Sequence, residues 1–227
     1  MQGAIIKPIK NKTISFCITC YDLDYHLLNN LLGALRNQTQ APDEIIISSS
    51  GVNNNNLYSG YVLIDNKKVP IVATNSEERH SEGEARNAGA KASQVATKDL
   101  IMFFDVDDIP HEQRVEFASK IFNTTECDAL VHSYKTGQHY GFTKHAFEDS
   151  RLFECYWKPD NGLGGGQLRA NDDCNIAHGP ITVMKNVFDS ISYSKDPRAA
   201  DCKFCGNLIL NNKKVLYYHE ELMHYNL

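Results

Sequence analysis

One ten-residue stretch, Asp99-Leu-Ile-Met-Phe-Phe-Asp-Val-Asp-Asp108, restricts the possible folds of this chain more than any other. Its apolar run, Leu100 to Phe104, puts greasy side chains on both faces of an extended backbone, as in a strand buried on two sides. Such a strand needs a layer of structure above it and another below. The run then ends in acids. Asp105 and Asp107 stand two apart and so share a face where the strand meets solvent. Like charges placed this way stay ionised only with a cation or strong hydrogen bonds between them. Mg²⁺ and Mn²⁺ suit that role, because hard cations take one or two carboxylates and leave positions for phosphate oxygens. The plainer reading is a solvated turn running into Ile109-Pro110. Acids at the carboxyl end of a strand nevertheless lie where open α/β sheets bind ligands.

The rest of the N-terminal half alternates strand and helix. Residues 14–20 carry Ile14, Phe16 and Ile18 on one face, and residues 22–38 carry Leu27, Leu28, Leu31, Leu32 and Leu35 at helical spacing. A buried strand is expected at 44–47, a polar loop at Asn53–Asn56, and short strands at 61–64 and 69–74. Ser81 with Glu84 is a capping box, opening a helix whose Ala85, Ala88, Gly89 and Ala92 would let a backbone approach closely. A further helix is expected over 112–122. This order implies right-handed crossovers and an α/β fold, a mostly parallel central sheet with helices on both faces.

The second half is less regular. Strands are expected at 129–134 and 181–184, a helix at 201–210, and two separate strand-like pieces at 215–219 and 222–225. Residues 135–175 read as loop, and a long irregular stretch inside a compact domain is usually a binding loop or lid. No repeat or linker divides two cores, so 1–227 reads as a single domain.

Composition narrows the partners. A formal net charge of −5 argues against long nucleic acid and against an electrostatic membrane anchor. No apolar run has the length of an integral membrane segment, and the N-terminus lacks the apolar core of a signal peptide. The chain therefore reads as soluble and cytoplasmic. Seven cysteines, an odd number, favour reduced thiols. Two pairs, Cys17/Cys20 and Cys202/Cys205, have the spacing of zinc ligands. The first pair falls in a strand, where residues three apart face opposite sides, and the second on a helix, where cysteine acts as a small hydrophobe.

Several segments, in order, resemble a family 2 inverting glycosyltransferase with the GT-A fold. They are Ile14-Ser-Phe-Cys-Ile-Thr-Cys-Tyr-Asp22, Gly83-Glu-Ala-Arg-Asn-Ala-Gly89, the Asp-x-Asp motif in Phe104-Asp-Val-Asp-Asp-Ile109, and Ala200-Asp201 where the family usually has Glu-Asp. The resemblance covers residues 13–225 and implies a nucleotide-sugar-binding half (13–110) and an acceptor and catalytic-base half (111–227). The donor is then a nucleotide-diphosphate sugar, most often a UDP-sugar in the family, and the acceptor a glycan, glycoprotein or small molecule. Asp107 binds Mn²⁺ or Mg²⁺ bridging the phosphates, with His224 as a further metal ligand. Tyr21, Asp22, Ser48, Arg86 and Asp105 contact the nucleotide, Arg86 alternatively its acidic partner and Asp105 a metal-bound water; for Ser48 a hydroxyl stands where the family commonly has acids. Arg86 is otherwise a solvated charge. Asp201 is the candidate base, its plainer role being a helix cap, with Asp172 or Asp173 as substitutes. Trp157 and Tyr156 either stack on an acceptor ring or fold onto the core.

Two other readings use the same residues. Phe104–Ile109 also looks like the nucleophile motif of haloacid-dehalogenase-type Mg²⁺-dependent phosphatases, with Asp105 phosphorylated. That motif normally opens its domain, and here a hundred residues precede it. A non-catalytic nucleotide-sugar-binding relative follows if Asp201 is only a cap.

Overall fold

The computed structural model describes residues 11–21, 25–51, 60–93, 99–137, 141–171 and 176–225. Alternating and continuous apolar runs in the first half become β1 (Ile14–Tyr21), α1 (Tyr25–Leu35), β2 (Glu44–Ser50), β3 (Gly60–Ile64), β4 (Lys67–Ser76), α2 (Glu82–Ala92) and β5 (Leu100–Asp105). After the two-residue β6 (Ile109–Pro110) come α3 (Arg114–Thr124) and β7 (Ala129–Lys135). The second half continues with β8 (Leu152–Glu154), β9 (Tyr156–Pro159), β10 (Gly166–Arg169), β11 (Ala177–Met184), α4 (Lys185–Ser190), α5 (Ala200–Leu210) and β12 (Val215–His224).

The main sheet has the order β3-β4-β2-β1-β5-β11-β7-β12-β6, with β8 added on β12. The pairs β4/β2, β2/β1, β1/β5 and β7/β12 are parallel. Between β5 and β7, however, β11 runs antiparallel to both. The mostly parallel sheet expected from the sequence is thus interrupted at its centre. Strand β5 lies between β1 and β11, and its side chains split as the apolar run requires. Leu100, Met102 and Phe104 join a core with α1 and α3, while Ile101 and Phe103 join one with α4 and α5. Each large apolar side chain so buried contributes roughly 1.5–3 kcal/mol. The cysteine pair of β1 is divided in the same way, Cys20 in the first core and Cys17 in the second. Burial pushes the Cys17 thiol up to about 12, which keeps it protonated and inert.

Four expectations for the elements are corrected. The first helix is shorter than 22–38, and α4 was missed. The two C-terminal pieces are one strand, β12, whose register against β7 shifts between Tyr218 and Glu221. The shift breaks the period-2 pattern, so the strand reads as two. The described part of 135–175 is also tied down. Strands β9 and β10 form a hairpin, and the Trp157 ring lies against Gly166 of that hairpin and Gly206 of α5, where any β-carbon would collide with it. Trp157 is folded onto the protein. Residues 141–147 are fastened by Gln113, which donates to the His145 carbonyl and accepts from its N–H, and by His111, bonded to the Thr143 carbonyl.

Candidate active site

The carboxyl ends of β1 and β5, the start of α2, the start of α5 and the beginning of β11 meet at a cavity of about 840 Å³. Helix α2 is placed there by local chemistry. Its capping box is formed, with the Glu84 N–H donating to Ser81 Oγ and the Ser81 N–H to Glu84. Gly89 then lets the helix lie on β1 and β2, since a β-carbon would overlap Cys17 Sγ and crowd Ser48. Asn87 fixes the neighbouring loop by donating to the Tyr193 carbonyl and accepting from its N–H.

Arg86 projects from α2 and is fully buried. Its Nη2 donates to both oxygens of Asp105, at 2.9 and 3.0 Å, while Nη1 faces the carboxylates of Glu82 and Asp201. The guanidinium also lies over the Tyr193 ring, 5.2 Å from its centroid. Burial alone would lower its pKa; Asp105, then Tyr193 and Glu82, more than reverse this, and the net shift is upward. Thr19 adds a 2.8 Å hydrogen bond to Asp105. Glu82, Asp105 and Asp201 thus pair with this guanidinium, and all three line the cavity together with Asp107. The imbalance shows in the acids. The Glu82 carboxyl is pushed up by burial first, with Asp105 adding to it and Arg86 opposing. Asp107 opens on the cavity and is likewise pushed up, by partial burial first and by Asp105 and Glu82 after it.

Asp201 does not cap α5. The capping position is Ala199, in the left-handed conformation (φ 52°) and without a side-chain bond. Asp201 stands in the first helical turn, where the helix dipole favours an acid, and reaches Arg86 and the cavity. Strand β11 passes directly beneath. A β-carbon at Gly179 would lie 3.0 Å from Asp105, 3.1 Å from Arg86 and 3.2 Å from Asp201. From the other face of the sheet, the buried Arg114 donates to the Pro180 carbonyl and to His132 Nε2, with its guanidinium over the Phe104 ring. Burial, then the charge of Arg114, pulls His132 well below its ordinary value. The ring is neutral, with Nδ1–H donating to the Ser133 carbonyl, so Nε2 accepts.

Of the residues singled out in the sequence, Arg86, Asp105, Asp107 and Asp201 are brought together. Ser48 is not: it is buried with its hydroxyl donating to the Ala85 carbonyl at 2.7 Å, a bond between β2 and α2. His224 is buried too. Its neighbours Met223 and Tyr225 line the cavity, while His224 Nε2 is 2.7 Å from the Gly137 carbonyl. Strand alternation accounts for that difference. Asp22, Asp172, Asp173, the Asn53–Asn56 run and the side chain of Tyr21 lie outside the described residues. Sequence reasoning passed over Glu82 and Tyr225. For Glu82 the signal was present, since Glu82 and Arg86 have the i,i+4 spacing of a helical ion pair.

A profile of glycosyl transferase family 2 matches residues 15–189, more than half of the chain. Among solved structures, S. aureus TarS 1–349 in complex with UDP-GlcNAc superimposes with a TM-score of 0.64 at 15% identity, covering 95% of this chain and 58% of that one. GalNAc-T7 with UDP, GalNAc and Mn²⁺ gives a TM-score of 0.67 at 11% identity, covering 96% and 44%. These likenesses bear out the expected GT-A fold. The chain spans less than two thirds of the length of these structures. No curated protein matches its sequence.

Proposed function

This chain belongs to glycosyl transferase family 2, and from that premise we propose that it moves a sugar from a nucleotide-diphosphate donor to an acceptor hydroxyl with inversion. The observation that carries the reading is the gathering of Asp105 and Asp201 on the buried Arg86, with Asp107 in the same cavity, at the carboxyl ends of parallel strands. A UDP-sugar is the favoured donor, in keeping with the UDP and UDP-GlcNAc bound by the structural neighbours.

The donor set suits a divalent cation. Among the described residues the cavity is lined by four carboxylates, three of them on Arg86, and the Asp107 and Glu82 carboxyls are both pushed upward, first by burial. Among the described residues no cluster of three His, Cys, Asp or Glu is set to hold a metal, so the fit is of the kind that uses one or two carboxylates plus substrate oxygens. Asp107 would hold the ion, with Asp105 beside it. Such an ion, when bound, acts as a Lewis acid for the departing diphosphate.

The chain's own residues do the rest. Asp105, oriented by Thr19 and Arg86, presents a fixed carboxylate to the donor. Asp201 takes the proton of the acceptor hydroxyl as that oxygen attacks the anomeric carbon opposite the diphosphate. Arg86 positions both acids, so donor side and base side share one charge. Residues 13–110 supply the nucleotide half and 111–227 the acceptor and base half. Against a phosphatase reading, the nucleophile motif of those enzymes normally opens its domain, and here β1 to β4 precede Asp105.

The test is thermal stability with UDP, GDP and dTDP and their sugars, each with and without Mn²⁺. A ligand binding only the folded protein at a hundredfold excess over its Kd adds about 2.7 kcal/mol. A metal-dependent rise with one nucleotide, lost in Asp107→Ala, is the expected outcome. No rise with any of them would remove the donor assignment.

A further inference from the structure

Two aromatic side chains in the cavity are left over once the acids and Arg86 have their roles. Tyr134, near the end of β7, and Tyr225, one residue past β12, both line it. Their ring centroids are 5.8 Å apart with an interplanar angle of 64°, edge to face. Tyr225 is 39% exposed, whereas Tyr134 is half-buried and backs onto the core. Paired strand ends hold the two in place. His224 is in register with Lys135, and the Tyr225 N–H donates to the Lys135 carbonyl at 2.8 Å. The Tyr225 ring is therefore a part-exposed aromatic surface on a rigid support.

Its surroundings say what it would take. Tyr225 is raised in pKa by burial and then by Asp108, Asp105, Asp107 and Glu82, so its hydroxyl end lies within the field of the acidic cluster. The cavity therefore offers an aromatic ring and hydrogen-bond acceptors to one ligand. A pyranose matches both, with an apolar C–H face for the electron-rich ring and hydroxyls at its edge for the carboxylates. A nucleobase would also stack on tyrosine, but the ring is in the wrong place for one. In the sheet, β7 and β12 lie beyond β5 and β11 from β1 and β2, the strands whose ends the nucleotide-sugar reading gives to the nucleoside.

Resting on the nucleotide-sugar reading, we infer that Tyr225, backed by Tyr134, forms a stacking subsite for a pyranose ring, that of the transferred sugar or one in the acceptor. The experiment is saturation-transfer NMR on the full chain and its Tyr225→Ala and Tyr225→Phe variants. The nucleoside diphosphate that stabilises the protein is compared with its glucose, galactose, GlcNAc and GalNAc derivatives and with the methyl glycosides of the same sugars.

The inference expects at least one pyranose to receive saturation on its ring C–H protons. That ligand should bind roughly tenfold more weakly to Tyr225→Ala and normally to Tyr225→Phe, while the bare nucleotide is unaffected. Loss in the nucleotide-sugar arm places the donor sugar on the ring, and loss in the glycoside arm places the acceptor there. Nucleotide binding with no pyranose sensitive to Tyr225→Ala overturns the inference and leaves the donor reading intact. So does a loss of bare nucleotide affinity in that variant. If no nucleotide binds at all, the donor reading falls and the inference falls with it. Melting temperature confirms that each variant is folded.

Discussion

Arg86 and Arg114 are both fully buried, one on each face of the sheet beneath the cavity, and the protein treats them in opposite ways. Arg86 meets carboxylates from α2, β5 and α5. Arg114 meets the neutral Pro180 carbonyl and the neutral His132 ring, and the charges of Asp108 and Asp105 oppose the effect of its burial. The shifts follow the partners. Arg86 moves up despite its burial, whereas burial pulls Arg114 down to about 9, still charged at neutral pH. Charge on charge collects where chemistry has to happen, and a buried guanidinium bonded to neutral acceptors is a tie between strands. Both lie against β11, Arg86 beside Gly179 and Arg114 bonded to the Pro180 carbonyl from behind.

That contrast can be pressed, beginning with the acid that Arg86 brings to the cavity. Asp201→Asn should lower kcat for sugar transfer by about 10²–10⁴-fold while leaving donor affinity near the wild-type value. Transfer at the wild-type rate would put the base elsewhere, with Asp172 and Asp173 next in line. Arg86→Met removes the cation shared by three acids, and about 3–5 kcal/mol of stability should go with it, read from urea unfolding. Arg114→Met gives up hydrogen bonds to neutral acceptors and also removes a costly buried charge, so a loss of only about 1–2 kcal/mol is expected by the same measurement. Equal losses for the two variants would dissolve the distinction between them.

The smallest effect concerns pH. The folded protein holds the Asp107 carboxyl above its ordinary value of 3.8. The folded state therefore binds that proton more tightly than the unfolded chain, and the contribution to stability is present at low pH and lost as pH rises through the folded value. Asp107→Asn removes the dependence. Without ligand, its melting temperature should exceed that of the wild type by at most about 1 °C near pH 7, because solvent screens the exposed Asp107 side chain, and the gap should close at acid pH. A gap that is constant with pH would show that the cluster leaves Asp107 unstrained.

How far these features were legible depends on how local they are. The capping box of α2, the two-faced burial of β5 and the division of Cys17 from Cys20 follow from neighbours within a few residues, and each is present in the structure. Ser48 shows the opposite case. Its place after a buried strand pointed to a ligand, but the hydroxyl is taken by the Ala85 carbonyl of a helix that follows in sequence. Gly89 permits that contact, and nothing in the residues around Ser48 reveals it. Trp157 is similar, since its resting place is set by Gly206 on α5, far along the chain. The pieces of β12 were both found, and the bulge between them hid that they are one strand.

What the sequence alone determined is therefore the helices and longer strands of the first half (though not the short β6), the acidic end of β5 and the presence of an arginine on a small-residue helix. Periodicity and capping dictate these because they depend on contacts within a strand or a turn of helix. Only the tertiary structure decided that β11 enters between β5 and β7 against the direction of its neighbours, and that Asp201 comes to Arg86 from 115 residues away. It likewise decided that Tyr134 and Tyr225 close the cavity together. Strand order and the meeting of distant charges are settled by which partners bury the most surface and neutralise the most charge, and that choice is made by the whole chain at once.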